Sequence, residues 1–359
     1  MENTREIFEQ FHTGCAFKSH EDLQGGKINH SFIIHTEAGK KFLLRKINPG
    51  VFKDPIKLSH NYNILDLYLK KDIREKTDYL FPEIYYSQKF FPFHEEGEGI
   101  NWCLMEYFDN TSPPELPINQ ENAYKAARAY GVFQTHLLSL PLDALYTPIM
   151  NFRNLHMRVR SLKSSIKRNI KGRREKANPE INDIISLEDI NNVNYKLIKS
   201  GKLKKVAAHN DPKPDNVLFD KETEKVKAVI DFDTIMQGYL IYDFGDMVRS
   251  FCSPVSEGST DLEKVEIDSE IFASIAEGYL GELNDKLTVT DKQYLSQGAK
   301  VIIYMQAIRF LTDYLNGDIY YKTNYNDHNL DRCRNQLKLL ENYIGKEKKL
   351  KAMLKKHTS

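Results

Sequence analysis

One segment of the 359-residue chain carries side chains spaced for phosphoryl transfer: Ala207-Ala208-His209-Asn210-Asp211-Pro212-Lys213-Pro214-Asp215-Asn216-Val217-Leu218-Phe219-Asp220. It spells His-x-Asp-x-x-x-x-Asn, and Lys227-Ala228-Val229-Ile230-Asp231-Phe232-Asp233 brings a further carboxylate twenty residues after Asp211. Phosphoryl transfer asks for few protein groups, but they must be placed accurately around spread negative charge. One carboxylate must take or orient the proton of the attacking hydroxyl, and Asp211 stands in that post. A carboxamide oxygen and a second carboxylate must hold Mg²⁺, a hard ion that prefers oxygen, and Asn216 and Asp231 fit those two positions.

Asp, Asn and Pro also make ordinary turns, so the loop alone could be a polar connection. Its flanks decide for chemistry. Leu203 to Ala208 and Val217 to Phe219 are short apolar runs, and Val226 to Phe232 is a β-rich run ending in a carboxylate. Asp243-Phe244-Gly245 spells a tripeptide that marks a metal carboxylate elsewhere. Here it precedes a helix-like run, Met247 to Phe251, so Asp243 reads as a helix-start carboxylate that caps amides and braces the loop.

These residues need elements to position them. Residues 1 to about 20 look helical, and Gln24-Gly25-Gly26-Lys27 then breaks into the β-rich run Ser31 to Thr36. A Glu-Ala-Gly-Lys turn and Lys41 to Ile47 complete a hairpin suited to roofing a nucleotide, with Gly25 and Gly26 letting backbone amides approach phosphate. On the second strand Arg45 and Lys46 compete to be the phosphate cation; alternation lets one point inward, and Arg45 is favoured. Residues 55 to 71 suit a helix, and Ile100 to Phe108 a strand running into a connection. From Gln120 onward helix-period positions dominate, over 122–138, 157–170, 271–283, 290–316 and 329–354.

Length suits two lobes better than one compact core. With 51 basic and 50 acidic residues the net charge is +1, which argues against nucleic acid as the main partner. Four separated cysteines, Cys15, Cys103, Cys252 and Cys333, indicate neither a zinc site nor a disulfide framework. No run approaches the roughly 18 apolar residues of a membrane span, and the polar start lacks a signal-peptide core. The expectation is a cytoplasmic protein with no membrane partner. No Gly-x-x-x-x-Gly-Lys-Ser/Thr is present, which excludes a P-loop. The basic run Arg158, Arg160, Lys163, Lys167, Arg168, Lys171, Arg173, Arg174 and Lys176 lacks interleaved aromatics and reads as a solvated helix face.

The catalytic loop, the Ile-Asp-Phe-Asp strand and Tyr242-Asp-Phe-Gly-Asp246 resemble the aminoglycoside phosphotransferase and choline kinase superfamily. A narrower resemblance is to the N-acetylhexosamine 1-kinases, carried by Gly26-Lys-Ile-Asn29, Ile230-Asp-Phe-Asp-Thr-Ile-Met-Gln-Gly238 and Arg309-Phe-Leu-Thr-Asp-Tyr-Leu-Asn-Gly-Asp-Ile-Tyr320. The resemblance implies an α+β, bilobal, protein-kinase-like fold, with a small β-rich N-terminal lobe and a large, mostly helical C-terminal lobe. It places a nucleotide lobe at 1–104, a hinge at 105–110 and a catalytic and substrate lobe at 111–359. It implies ATP and Mg²⁺ as cofactors and an amino sugar phosphorylated at C1. Asp211 would be the base, and Asn216 and Asp231 the metal ligands. Gly25, Gly26, Asn29, Arg45, Glu106 and Phe108 would face the nucleotide. Asp233, Arg309, Asp313 and Tyr320, with Asp211, would face the sugar. For Arg309 and Asp313 the alternative is a simple i,i+4 ion pair.

One departure stands out: where relatives carry a helix Glu to pair with the strand cation, this chain offers Asn63. Two other functions stay open, a kinase of the same fold for another hydroxyl (N-acetylmuramic acid, an aminoglycoside, choline) and a weakly active nucleotide sensor.

Overall fold

The computed structural model describes residues 3–23, 28–77, 79–97 and 99–358. The chain divides into two compact units. One comprises Met1–Ser112, His136–Met150 and Leu218–Gln237; the other comprises Pro113–Thr135, Asn151–Val217 and Gly238–Ser359. Together they give the bilobal kinase-like class, a small antiparallel-sheet unit and a large helical one.

In the first unit a short helix α1 (Thr4–Phe8) precedes strands β1 (Phe17–Asp22), β2 (His30–Thr36) and β3 (Lys41–Lys46). Then come helix α2 (Pro55–Lys76) and strands β4 (Ile84–Tyr85), β5 (Phe93–Glu96) and β6 (Ile100–Glu106). The sheet order is β1-β2-β3-β6-β4, with β5 also on β6. The expected helix over residues 1 to 20 is thus five residues long; residues 9–16 form turns and irregular chain, and β1 begins at Phe17. β1 is exposed along most of its length, and its identity comes from pairing with β2, which its own polar pattern does not announce. The hairpin register sets Ile33 opposite Leu43 and Ser31 opposite Arg45. Phe8, Phe32, Ile34, Phe42, Leu44, Trp102 and Leu104 form a core on one sheet face. The period of α2 buries Leu58, Tyr62, Leu65 and Leu69. Further on lie β7 (Thr111–Ser112), β8 (Val206–Ala208), β9 (Val217–Asp220) and β10 (Val226–Val229), of which β10, β9 and β7 make a small sheet.

The second unit is built on α3 (Gln120–Leu137), α4 (Leu155–Arg168), α5 (Asn178–Ser186), α6 (Asp189–Lys199) and α7 (Leu240–Phe251). It continues through α8 (Ser269–Leu283), α9 (Val289–Asn316) and α10 (His328–Thr358). α9 is apolar nearly all round from Ala299 to Leu315, which suits its place among α4, α5, α6, α7 and α10. Its ends are set by sequence. Thr288 and Asp291 form a capping box, and Gly317 closes the helix in the left-handed region. α7 crosses α9 closely because Gly245 and Gly298 meet there: a Cβ at Gly298 would lie 2.0 Å from the Ile241 carbonyl oxygen. Among the described residues no helix is long and apolar enough to cross a membrane.

Candidate active site

In the helical unit the apolar strand β8 delivers His209, Asn210 and Asp211. Asn210 adopts a left-handed backbone, φ +63°, a conformation Asn tolerates better than most residues. Asp243, in the first turn of α7, accepts from the amides of His209 (2.9 Å) and Asn210 (3.0 Å). It braces the loop as expected, yet its oxygens go to these amides and the N-cap residue Tyr239 provides no side-chain cap. Burial, opposed by the Arg153 charge and these amides, pushes Asp243 up to about 7. Gly238 is required beside it, since a Cβ there would lie 2.5 Å from Asn210 Oδ1.

Arg153 fastens the loop from behind by donating to the Asn210 carbonyl and, at 2.5 Å, to Asp246. Asp246 also accepts from Arg249 (2.8 Å), and Arg249 reaches Glu257 at 3.1 Å. Burial would raise the Asp246 carboxyl, but the two guanidiniums override it and hold it well below the usual range. His209 is buried edge-on to Tyr130, and Tyr130 Oη donates to the Lys213 carbonyl.

With its backbone pinned, the loop orients Asp211. Its Oδ2 accepts from Lys213 Nζ (2.6 Å) and Asn216 Nδ2 (3.1 Å), and Asn216 Nδ2 also reaches the Asp211 carbonyl (2.9 Å). Both of these side-chain donors go to Oδ2, so the carboxylate is held through that oxygen. Asn216 uses its amide nitrogen inward, which turns its Oδ1, a hard neutral donor, the other way.

In the same unit, Arg309 on α9 lies within electrostatic reach of Asp211. Its guanidinium donates to Gln306 Oε1 at 3.0 Å and lies 5.6, 5.6 and 5.4 Å from the ring centres of Phe152, Tyr320 and Tyr321. Asp313 does not pair with Arg309. Its oxygens accept from the amides of Ile319, Tyr320 and Tyr321 and from Asn329 Nδ2, at 2.9–3.0 Å, fixing the turn that presents Tyr320. The basic run is only partly a solvated face: Arg158 is half-buried near Arg309, and Arg173 pairs with Asp318 and the Tyr314 carbonyl.

In the sheet unit, Arg45 donates to Asp231 (3.1 Å) and Asp233 (3.0 Å). Lys46, on the other face, lies 5.4 Å from the centre of the Trp102 ring. Asp233 also accepts from Asn29 Nδ2 (2.6 Å) and from Tyr62 Oη, and burial, reinforced by Asp231 and opposed by Arg45, raises its carboxyl. Helix α2 therefore meets this cluster through Tyr62; Asn63, one residue on, accepts from Tyr86 Oη. Asp231 has a left-handed backbone, φ +67°. Glu106 pairs with Phe42 at the end of β6, and its carboxylate accepts from the Glu83 amide (3.2 Å). Phe108 is buried, and its carbonyl accepts from Thr111 Oγ1 (2.8 Å). Gly25 and Gly26 lie outside the described residues.

The sequence gives no role to Lys213, Arg153, Asp246, Arg249 or Tyr62, and it sets Arg158 in a solvated basic face. Lys213 sits inside the loop motif, two residues after Asp211, and that spacing was the available signal. Arg153 meets Asn210 and Asp246 from 57 and 93 residues away, and no local pattern announces such partners.

A phosphotransferase enzyme family, APH, matches residues 19–261. Among solved structures, a spectinomycin phosphotransferase in complex with ADP and spectinomycin has 16% identity and a TM-score of 0.59, over 96% of this chain and 97% of that one. A candidate aminoglycoside phosphotransferase of Ralstonia eutropha has 14% identity and a TM-score of 0.58, over 95% of this chain and 96% of that one. The ethanolamine kinase of Plasmodium vivax has 11% identity and a TM-score of 0.51, over 94% and 84%. At these identities the likeness is one of fold.

Proposed function

This chain belongs to the APH phosphotransferase enzyme family, and from that premise we propose that it moves the γ-phosphate of ATP to the C1 hydroxyl of an N-acetylhexosamine. The observation that carries the choice of acceptor is the seat of Arg309, in electrostatic reach of Asp211 and ringed by Phe152, Tyr320 and Tyr321. Aromatic walls with a few fixed donors suit a sugar that is largely neutral. A cationic acceptor such as an aminoglycoside or choline would meet Arg309 as a like charge. Nucleotide use is supported by the ADP held in the spectinomycin phosphotransferase structure.

In this reading Asp211 Oδ1 takes the proton of the C1 hydroxyl as its oxygen attacks the γ-phosphorus, and ADP leaves with the β–γ bridging oxygen. Lys213 and Asn216 keep Asp211 aimed, while Asp243 and Arg153 hold the backbone that carries it. Arg309 and Tyr320 position the sugar, and Asp313 enters through the turn it anchors. Arg45, Asn29, Glu106 and Phe108, with Gly25 and Gly26, are assigned to the nucleotide.

Among the described residues no three His, Cys, Asp or Glu side chains group to hold a metal. The donors proposed are the Asn216 carboxamide oxygen and the Asp231 carboxylate, hard oxygens of the kind Mg²⁺ prefers. When bound, Mg²⁺ would supply positive charge to offset the negative charge of the nucleotide phosphates.

Asp211→Asn is expected to lower kcat about a hundred- to ten-thousand-fold with ATP affinity retained, checked by coupled assay and calorimetry. Asp231→Ala is expected to lose Mg²⁺-dependent nucleotide binding. A wild-type rate in the first variant would remove Asp211 as base, and unchanged binding in the second would move the metal site.

A further inference from the structure

Arg158 and Arg309 are two half-buried guanidiniums that form no ion pair with a carboxylate among the described residues. Arg158, on α4, donates to the Phe152 carbonyl at 3.4 Å, and its Nε is buried with no hydrogen-bond partner. Arg309 approaches the ring of the same Phe152 and donates to the neutral Gln306. Neither forms an ion pair among the described residues, and the acids in the neighbourhood are already engaged. Asp246 serves Arg153 and Arg249, Glu257 serves Arg249, Asp318 serves Arg173, and Asp313 serves backbone amides and Asn329. Asp211, which Arg309 senses electrostatically, accepts from Lys213. Burial, with the Arg309 charge next, pulls Arg158 down to about 10, which leaves both groups cationic at neutral pH.

Buried charge of one sign is costly unless an opposite charge meets it, and the planar fork of arginine matches the two oxygens of a carboxylate or phosphate. We propose that Arg158 and Arg309 form an oxyanion subsite around Phe152, taking an acidic group on the acceptor sugar or the phosphate of the sugar 1-phosphate product. Its place on the acceptor side rests on the function proposed above; the anion binding itself does not.

The test uses the full chain with inorganic phosphate as probe, titrated by calorimetry without nucleotide. Phosphate is expected to bind the wild type and to bind Arg158→Gln about tenfold more weakly, while ATP affinity and Tm stay level. Arg158→Lys, which keeps the charge, should recover part of the loss and serves if Arg158→Gln does not fold. Two further arms separate the sources. If the anion is the acceptor's own, wild type will prefer N-acetylmuramic acid over its carboxyl methyl ester about tenfold in kcat/KM, and Arg158→Gln will not. If it is the product phosphate, acid and ester will react alike, and N-acetylglucosamine 1-phosphate will compete with the acceptor in wild type but weakly in Arg158→Gln. Phosphate binding that is absent from wild type, or equal in wild type and Arg158→Gln, overturns the subsite. Loss of phosphate affinity in Arg158→Gln, with no acceptor turned over by wild type, keeps the subsite and discards the sugar kinase.

Discussion

At the scale of residues, orientation of Asp211 is achieved almost wholly through its loop's backbone. Two amides go to Asp243, one carbonyl goes to Arg153, and the side chain is then trimmed by Lys213 and Asn216. Asp243 gives this arrangement a pH signature. In an unfolded chain its carboxyl titrates near 4, and in the fold burial pushes it up to about 7. The folded state therefore keeps the proton over a range where the unfolded chain has lost it, so the group's contribution is full below about pH 4 and is lost as pH climbs toward about 7. The stability of the wild type minus that of Asp243→Asn, measured by urea unfolding, is expected to fall steadily across that window. Asp246, held low by Arg153 and Arg249, does not titrate there. A difference that rises with pH would contradict this account. Of these residues the loop motif showed Asp211, Asn216 and Asp231 in sequence because their spacing is local. Arg45 against Lys46 was legible from strand alternation. Tyr62 was not, because a phenol carries no charge signal and its partner Asp233 lies 171 residues away.

At the scale of elements, α9 carries Arg309 and Asp313, which the proposed function assigns to the acceptor, and its Gly317 end turns the chain toward Tyr320. Its seat against α7 depends on Gly298, where any side chain meets the Ile241 carbonyl. Gly298→Ala is expected to cost at least about 3 kcal/mol, the upper part of the overpacking range, read as a lower urea midpoint; an unchanged midpoint would show that the helices can separate freely. Long helices such as α9 and α10 were legible because many turns repeat one apolar period. α5 and α6, 9 and 11 residues long, give too few turns for that signal. The misread start has the same cause in reverse: Phe8 and Phe11 mimic a helical face, while β1 becomes a strand only against β2.

At the scale of the molecule, the kinase-like class was legible because the order of small β-rich and large helical parts follows from motif position and periodicity. The seat of Arg309 was not, because it is built by side chains from α4, α9 and the 319–321 turn, none of which is a sequence neighbour of Asp211. Family membership leaves the acceptor open, since the structural neighbours include a spectinomycin phosphotransferase and an ethanolamine kinase. The most direct test incubates the protein with ATP, Mg²⁺ and N-acetylglucosamine, N-acetylgalactosamine, N-acetylmannosamine, N-acetylmuramic acid, choline or kanamycin, and follows phosphorus by ³¹P NMR. The account predicts a new anomeric phosphate signal on an N-acetylhexosamine, dependent on Asp211; phosphate transferred only to choline or kanamycin would contradict it.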